Sequence, residues 1–263
     1  MATLQRDASV RIPYAVQGEG PAILLINGAT LPLGFWDPVV KRLASRFRVI
    51  RFDQRNAGAS DFTGSFTLLD VAADIAALLT ALEIERAVIV GHAWGGRVAQ
   101  VFARDYPHRT RGLIVCGTGG QFPPDLDPAW LSAMGAARKA GERATWDDLL
   151  ERIYCAPGYS LRDAAGFVAT GDVIWNAPRV RGAKPDMRVA PSSSYWGTAM
   201  GPALLIYAEH DRFGTPANAR DLSSRLPEAR LEVLTGAGHL LVREQSERVV
   251  ALVGDFMEAL PVE

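Results

Sequence analysis

The chain has 263 residues, 48% of them hydrophobic and 25 of them glycine, which is enough for one α/β domain carrying an insertion over a substantial core. Its 28 basic and 29 acidic residues leave a formal net charge of −1, and no basic run offers a footprint for nucleic acid or a membrane surface. No apolar stretch reaches spanning length, Met1 to Asp7 lacks an apolar signal region, and the distant Cys116 and Cys155 imply neither a disulfide framework nor a metal site, so a cytoplasmic location is the default.

Two early strands are predicted over Val10–Val16 and Ala22–Ile26, and a third over Arg48–Phe52. Thr67 and Asp70 form a capping box for a helix whose apolar stripe runs through Leu68, Val71, Ala72, Ile75, Leu78, Leu79 and Leu82. A buried strand follows over Ala87–Val90, then a helical apolar spacing over Arg97–Ala103. Between them stands Gly91-His92-Ala93-Trp94-Gly95-Gly96. A sharp strand-to-helix turn forces its central residue into a strained conformation and needs neighbours without side chains, a need that Gly91, Gly95 and Gly96 meet. The frame matches the G-x-S-x-G nucleophile elbow in every respect but the hydroxyl, because Ala93 occupies the nucleophile position. An ordinary βα turn of a nucleotide-binding sheet is the bland alternative.

Gly112–Cys116 reads as another strand, with Cys116 a small buried hydrophobe. The alternation stops after Thr118-Gly119-Gly120 and resumes near Pro202, so residues 119–199 read as a helical cap inserted after the sixth strand of a core built from 1–118 and 200–263. Four of the six tryptophans, Trp130, Trp146, Trp175 and Trp196, fall in this insertion with Tyr154, Tyr159 and Tyr195. That concentration points to an apolar cavity roof with at least two rings on the ligand, although any single ring serves equally well to hold a small cap together. Trp130, Tyr154, Trp175 and Tyr195 are the candidates. Arg179 to Arg188 is basic and turn-rich and reads as a solvated loop.

Pro202–Tyr207 is an apolar strand running into Ala208-Glu209-His210-Asp211, and Leu231–Leu234 runs into Gly236-Ala237-Gly238-His239. A proton-relay triad needs, after its nucleophile, a carboxylate and then a histidine, each on a loop after a strand. Asp211 is preferred over its competitor Glu209 because the turn Asp211–Pro216 puts it at the loop tip before a helix. His92 and His210 flank the nucleophile and acid positions, His108 sits at a helix end, and no histidine pair has zinc spacing.

With these residues the chain resembles the α/β-hydrolase family over nearly its whole length. Leu24 to Ala29 followed by Phe35-Trp36 is similar to the family's oxyanion loop, and Arg51 to Ser60 to its D-x-R-x-x-G-x-S turn. The resemblance implies a mostly parallel central sheet flanked by helices, with backbone N–H groups of Ala29 and Trp94 as oxyanion donors and Gly28 and Thr30 beside the substrate. Asn27 replaces the usual histidine and leaves the backbone donor intact. Ala93 is the serious departure.

Serine at position 93 would make a carboxylic ester or lactone hydrolase, with His239 as base and Asp211 holding its tautomer. Aspartate would make a dehalogenase or epoxide hydrolase, which Trp94 also fits but the Asn27-Gly28-Ala29-Thr30 loop does not. A naturally non-catalytic ligand-binding relative is the third reading. Retention of Asp211 and His239 favours a recent loss of the nucleophile, most economically a serine-to-alanine change that leaves an inactive protein. The expected partner is an apolar, medium-sized substrate with no cofactor, no metal, no nucleic acid and no membrane; oligomeric state stays open, a homodimer included.

Overall fold

The computed structural model describes residues 1–7, 10–61, 64–178 and 194–261. Eight strands, β1 (Ala2–Asp7), β2 (Val10–Gln17), β3 (Ala22–Ile26), β4 (Arg48–Phe52), β5 (Ala87–His92), β6 (Thr110–Cys116), β7 (Ala203–Ala208) and β8 (Ala229–Leu234), form one sheet in the order β1-β2-β4-β3-β5-β6-β7-β8. The pairs β1–β2 and β2–β4 are antiparallel, and every pair from β4 to β8 is parallel. The predicted strands are all present. β1 was not predicted, because Ala2–Asp7 lacks the apolar alternation of a half-buried strand; it is the outer strand of the sheet.

Period-two side-chain direction divides the strands between two cores. Ile23, Leu25, Val88, Val90, Leu204 and Ile206 face one side, where α1 (Asp37–Leu43), α9 (Leu241–Glu244) and α10 (Ser246–Ala259) cover them. Leu24, Ile26, Ile89, Leu205 and Tyr207 face the other, beneath α2 (Leu68–Ala81), α3 (Trp94–Asp105) and α8 (Pro216–Arg225). Both faces are therefore apolar, as a covered parallel sheet requires. The Thr67–Asp70 capping box forms as read, with each side chain bonded to the other residue's backbone N–H.

Between β6 and β7 the described residues hold α4 (Pro128–Ala140), α5 (Arg143–Tyr154), α6 (Tyr159–Arg162) and α7 (Ala164–Trp175), and no strand. The basic stretch Arg179 to Arg188 lies outside the described residues.

The β5-to-α3 turn needs its glycines for contact reasons. A Cβ on Gly91 would overlap the Gly95 carbonyl, and one on Gly95 would overlap the carbonyl of Ile26 in the neighbouring strand. Gly91→Ala is expected to cost about 3 kcal/mol, since backbone and not a flexible side chain must yield. Gly135→Ala, in the interior of α4 with open space around it, should instead gain about 0.5–1 kcal/mol from reduced chain entropy. Urea midpoints of the two variants check both signs.

Candidate active site

Parallel pairing fixes the site before any side chain is considered. Ile26 pairs with Gly91, His92 with Cys116, Cys116 with Ile206 and Ala208 with Leu234, so the loops after β3, β5, β6, β7 and β8 leave the sheet side by side at its carboxyl edge. Ala93 stands at the β5 exit with φ 52° and ψ −116°, a conformation that is strained for any residue but glycine. Its N–H donates to Cys116 O (2.9 Å), and its carbonyl accepts from Gly96 N (3.0 Å) and Thr118 Oγ1 (3.0 Å). Trp94 is the first residue of α3, so its N–H has no partner one turn earlier in that helix.

The loop after β3 approaches from the other side. A Cβ on Gly28 would stand 3.5 Å from Ala93 Cβ, and Gln54 Nε2 donates to the carbonyls of both Asn27 (2.8 Å) and Gly28 (3.1 Å), fixing the loop next to the elbow. Asn27 Nδ2 bonds to Leu31 O (3.0 Å) and Phe52 O (3.2 Å). Asp53 accepts from Leu33 N (2.6 Å) and Ala59 N (2.8 Å), so the turn after β4 braces the same loop.

His239 Nδ1 lies 2.9 Å from both carboxylate oxygens of Asp211. Asp211 is buried, and its Oδ1 also accepts from Phe213 N (2.7 Å) and Gly214 N (2.9 Å). Glu209 is half exposed and accepts from Gly236 N (3.0 Å). With Nδ1 occupied, Nε2 of His239 is the nitrogen left to the cavity. That cavity, about 620 Å³, has Gly28, Ala29, Thr30, Ala93, Trp94 and His239 in its wall.

A family model of the alpha/beta hydrolase fold matches residues 21–244. The chain belongs to the α/β-hydrolase family. It is 27% identical to the 2-(acetamidomethylene)succinate hydrolase of Mesorhizobium japonicum, over 92% of this chain and 90% of that one. A thermophilic esterase from Thermogutta terrifontis superposes with a TM-score of 0.81 at 25% identity, covering 97% of this chain and 96% of that one. The enol-lactonase of Burkholderia xenovorans shares the fold, with a TM-score of 0.79 at 24% identity over 95% and 98%.

Within this hydrolase the aromatic residues between β6 and β7 divide differently from the expectation. Tyr154 lines the cavity, and so does Trp146, but Trp130, Trp175 and Tyr195 do not. The Trp130 ring is covered by the guanidiniums of Arg152 (4.5 Å) and Arg212 (5.5 Å). Trp175 packs edge-on against Trp146 at 5.3 Å and under Arg143, and Tyr195 is buried in the core on the α3 side of the sheet.

Several residues that hold the site escaped the sequence reading. Gly117, with φ 54°, admits the acid and base: a Cβ there would stand 2.8 Å from Asp211 Oδ2 and 3.7 Å from His239 Nδ1. Arg243 is buried and donates to Thr170 Oγ1 (2.9 Å) and Phe35 O (2.9 Å), tying α7 to the segment after the oxyanion loop. Glu244 accepts from Ala156 N (2.8 Å) and Gly238 N (3.1 Å), clamping the end of α5 to the loop of His239; burial raises its carboxyl to about 7. Two charged residues directly after the apolar Leu240-Leu241-Val242 were the available signal.

His92 supports His239 from below. A carbonyl can only accept, so His92 Nε2 donates to His239 O (2.8 Å), the neutral ring carries its proton there, and the buried Nδ1 has no partner. Burial first, and then the nearby His239, push its pKa down from 6.5 to about 3. Between those values the unfolded imidazole binds a proton that the folded one refuses, so this contribution to stability is complete above pH 6.5 and lost as pH falls toward 3. Glu244 acts with the opposite sign, because its folded carboxyl holds a proton between 4.5 and about 7. The profile of His92→Asn minus wild type isolates the histidine: it should show wild-type stability falling more steeply with acid, measured as urea midpoints across that range.

Proposed function

We infer that this hydrolase binds a carboxylic ester or lactone in the cavity above Ala93 and lacks only the oxygen needed to attack it. The observation carrying the reading is that Ala93 keeps the strained elbow conformation while the Asp211–His239 pair stands assembled at the same cavity. Were serine present at 93, Nε2 of His239 would take its proton, Asp211 would hold Nδ1–H and favour the imidazolium, and the amides of Ala29 and Trp94 would stabilise the tetrahedral oxyanion. Without that hydroxyl the covalent route is closed. Loss of one oxygen barely changes the shape of the pocket, so the chain as it stands holds its ligand with little or no turnover.

Residues 119–199 act as the cap in this reading. Met134 of α4, Trp146, Leu150 and Tyr154 of α5 and Ile174 of α7 give the cavity an apolar wall suited to a medium-sized ligand. Hydrolysis of a carbonyl compound is also in keeping with the printed names of the succinate-derivative hydrolase and the esterase.

Ala93→Ser is expected to gain hydrolysis of p-nitrophenyl butyrate or a simple lactone by a factor on the order of 10⁶ in turnover, the usual cost of losing a nucleophile. Inertness of that variant toward an ester and lactone panel, with Ala93→Asp releasing halide or opening epoxides, would replace serine with aspartate as the missing nucleophile. In the Ala93→Ser background, Asp211→Asn should lower kcat about 10⁴-fold by stabilising the wrong histidine tautomer. Glu209→Gln should leave it within a few-fold, and the reverse ranking would reassign the acid.

A further inference from the structure

Among the described residues the wall of the cavity above Ala93 contains no aspartate or glutamate but does contain the guanidinium of Arg97, in a chain with 29 acidic residues; Arg138 lines the same wall. A separate cavity of about 650 Å³ carries both signs of charge, with Asp125, Asp148, Glu151, Glu209 and Asp211 in its wall beside Arg152 and Arg212. Arg97 belongs to the fourth position after Ala93 on α3. It stands in the first turn of that helix, and Ala93 and Arg97 line the same cavity. Its Nε donates to Gly119 O (2.8 Å), and it also hydrogen-bonds to Tyr195. Those two bonds fix its orientation without neutralising it: no carboxylate among the described residues forms an ion pair with Arg97. Arg138 is held in the α4 wall by donating to the carbonyls of Trp175 (2.7 Å) and Ala177 (2.8 Å).

A guanidinium has five donors, and one that lines an apolar cavity without a counter-charge favours a ligand that brings one. The amino-terminal end of α3 adds partial positive charge at the same wall. We propose that the ligand is an anion: an ester or lactone carrying a carboxylate, which pairs with Arg97 while the reactive carbonyl lies at the amides of Ala29 and Trp94. Arg97 is then the residue that selects an acidic substrate over a neutral one of equal length. The proposal rests on the ester and lactone reading above.

Monomethyl adipate and dimethyl adipate test it, since they differ chiefly in one negative charge. Calorimetric titration of the chain as it stands should show the monoester bound about tenfold or more tightly than the diester, with the preference weakened by salt. Arg97→Gln should abolish the preference and Arg97→Lys should retain part of it, far-UV circular dichroism confirming that both fold. Equal affinity for the two probes, binding of neither, or a preference that survives Arg97→Gln overturns the proposal. The function reading is tested separately by hydrolysis of p-nitrophenyl butyrate by Ala93→Ser. Activity there with no preference for the anion sinks the substrate class alone, whereas inactivity there sinks the ester reading, and the titration still decides the role of Arg97.

Discussion

The arrangement depends on how closely α3 approaches the sheet at the end of β5. A positive φ at a residue with a Cβ costs about 1–3 kcal/mol and persists only where the surroundings over-determine it. Here they do: Ala93 has its N–H committed to Cys116 and its carbonyl to Gly96 and Thr118, and Gly91, Gly95 and Gly96 are packed against backbone or against Thr118. Because Gly95 fits only against the carbonyls of Ile26 and Asn27, the same approach also sets the distance from the elbow to the loop after β3. Glycine packing thus places the Trp94 amide, and together with the Gln54 bonds to Asn27 O and Gly28 O it places the amide of Ala29.

The proton-handling pair is held as tightly, by different means. Asp211 accepts two backbone N–H groups besides the imidazole, which keeps its carboxylate fixed in a buried position. The ring of His239 is flanked by Phe213 at 4.7 Å and Tyr154 at 5.9 Å, and its backbone is held by His92. Through Glu244 the chain after α5 at Ala156 and the loop at Gly238 share one carboxylate, which ties that end of α5 to the histidine loop. The insertion therefore reaches His239 twice, through the Tyr154 ring beside the imidazole and through the carboxylate shared by Ala156 and Gly238.

The core was legible in the sequence because parallel strands leave a simple trace. Runs such as Ala87–Val90 and Pro202–Tyr207 are apolar on both faces, and the glycine-framed turn after the first of them allows few other structures. Position within the loop separated Asp211 from Glu209, and the geometry puts Asp211 on His239. The cap rings were not legible, since a tryptophan that lines a cavity and one stacked under an arginine have the same composition. Trp146 and Trp130 both lie under guanidiniums, yet only Trp146 lines the cavity, which is tertiary information. Gln54 and His92 were missed as supports because each bonds to the backbone of a segment distant in sequence, and Gly117 because it makes room for side chains equally distant; neither leaves a local pattern.

None of the contacts that impose the elbow passes through the side chain of residue 93. The hydrogen bonds there use its N–H and carbonyl, and the close approaches belong to its glycine neighbours. Fold and nucleophile are therefore separable. An alanine at this position inherits the full conformational strain that serves to raise a nucleophile from the sheet, while contributing nothing reactive itself. The strained turn, the backbone of Trp94 and the imidazole of His239 meet at one cavity. The backbone framework around position 93 is therefore indifferent to a hydroxyl there, because none of its hydrogen bonds reaches the side chain.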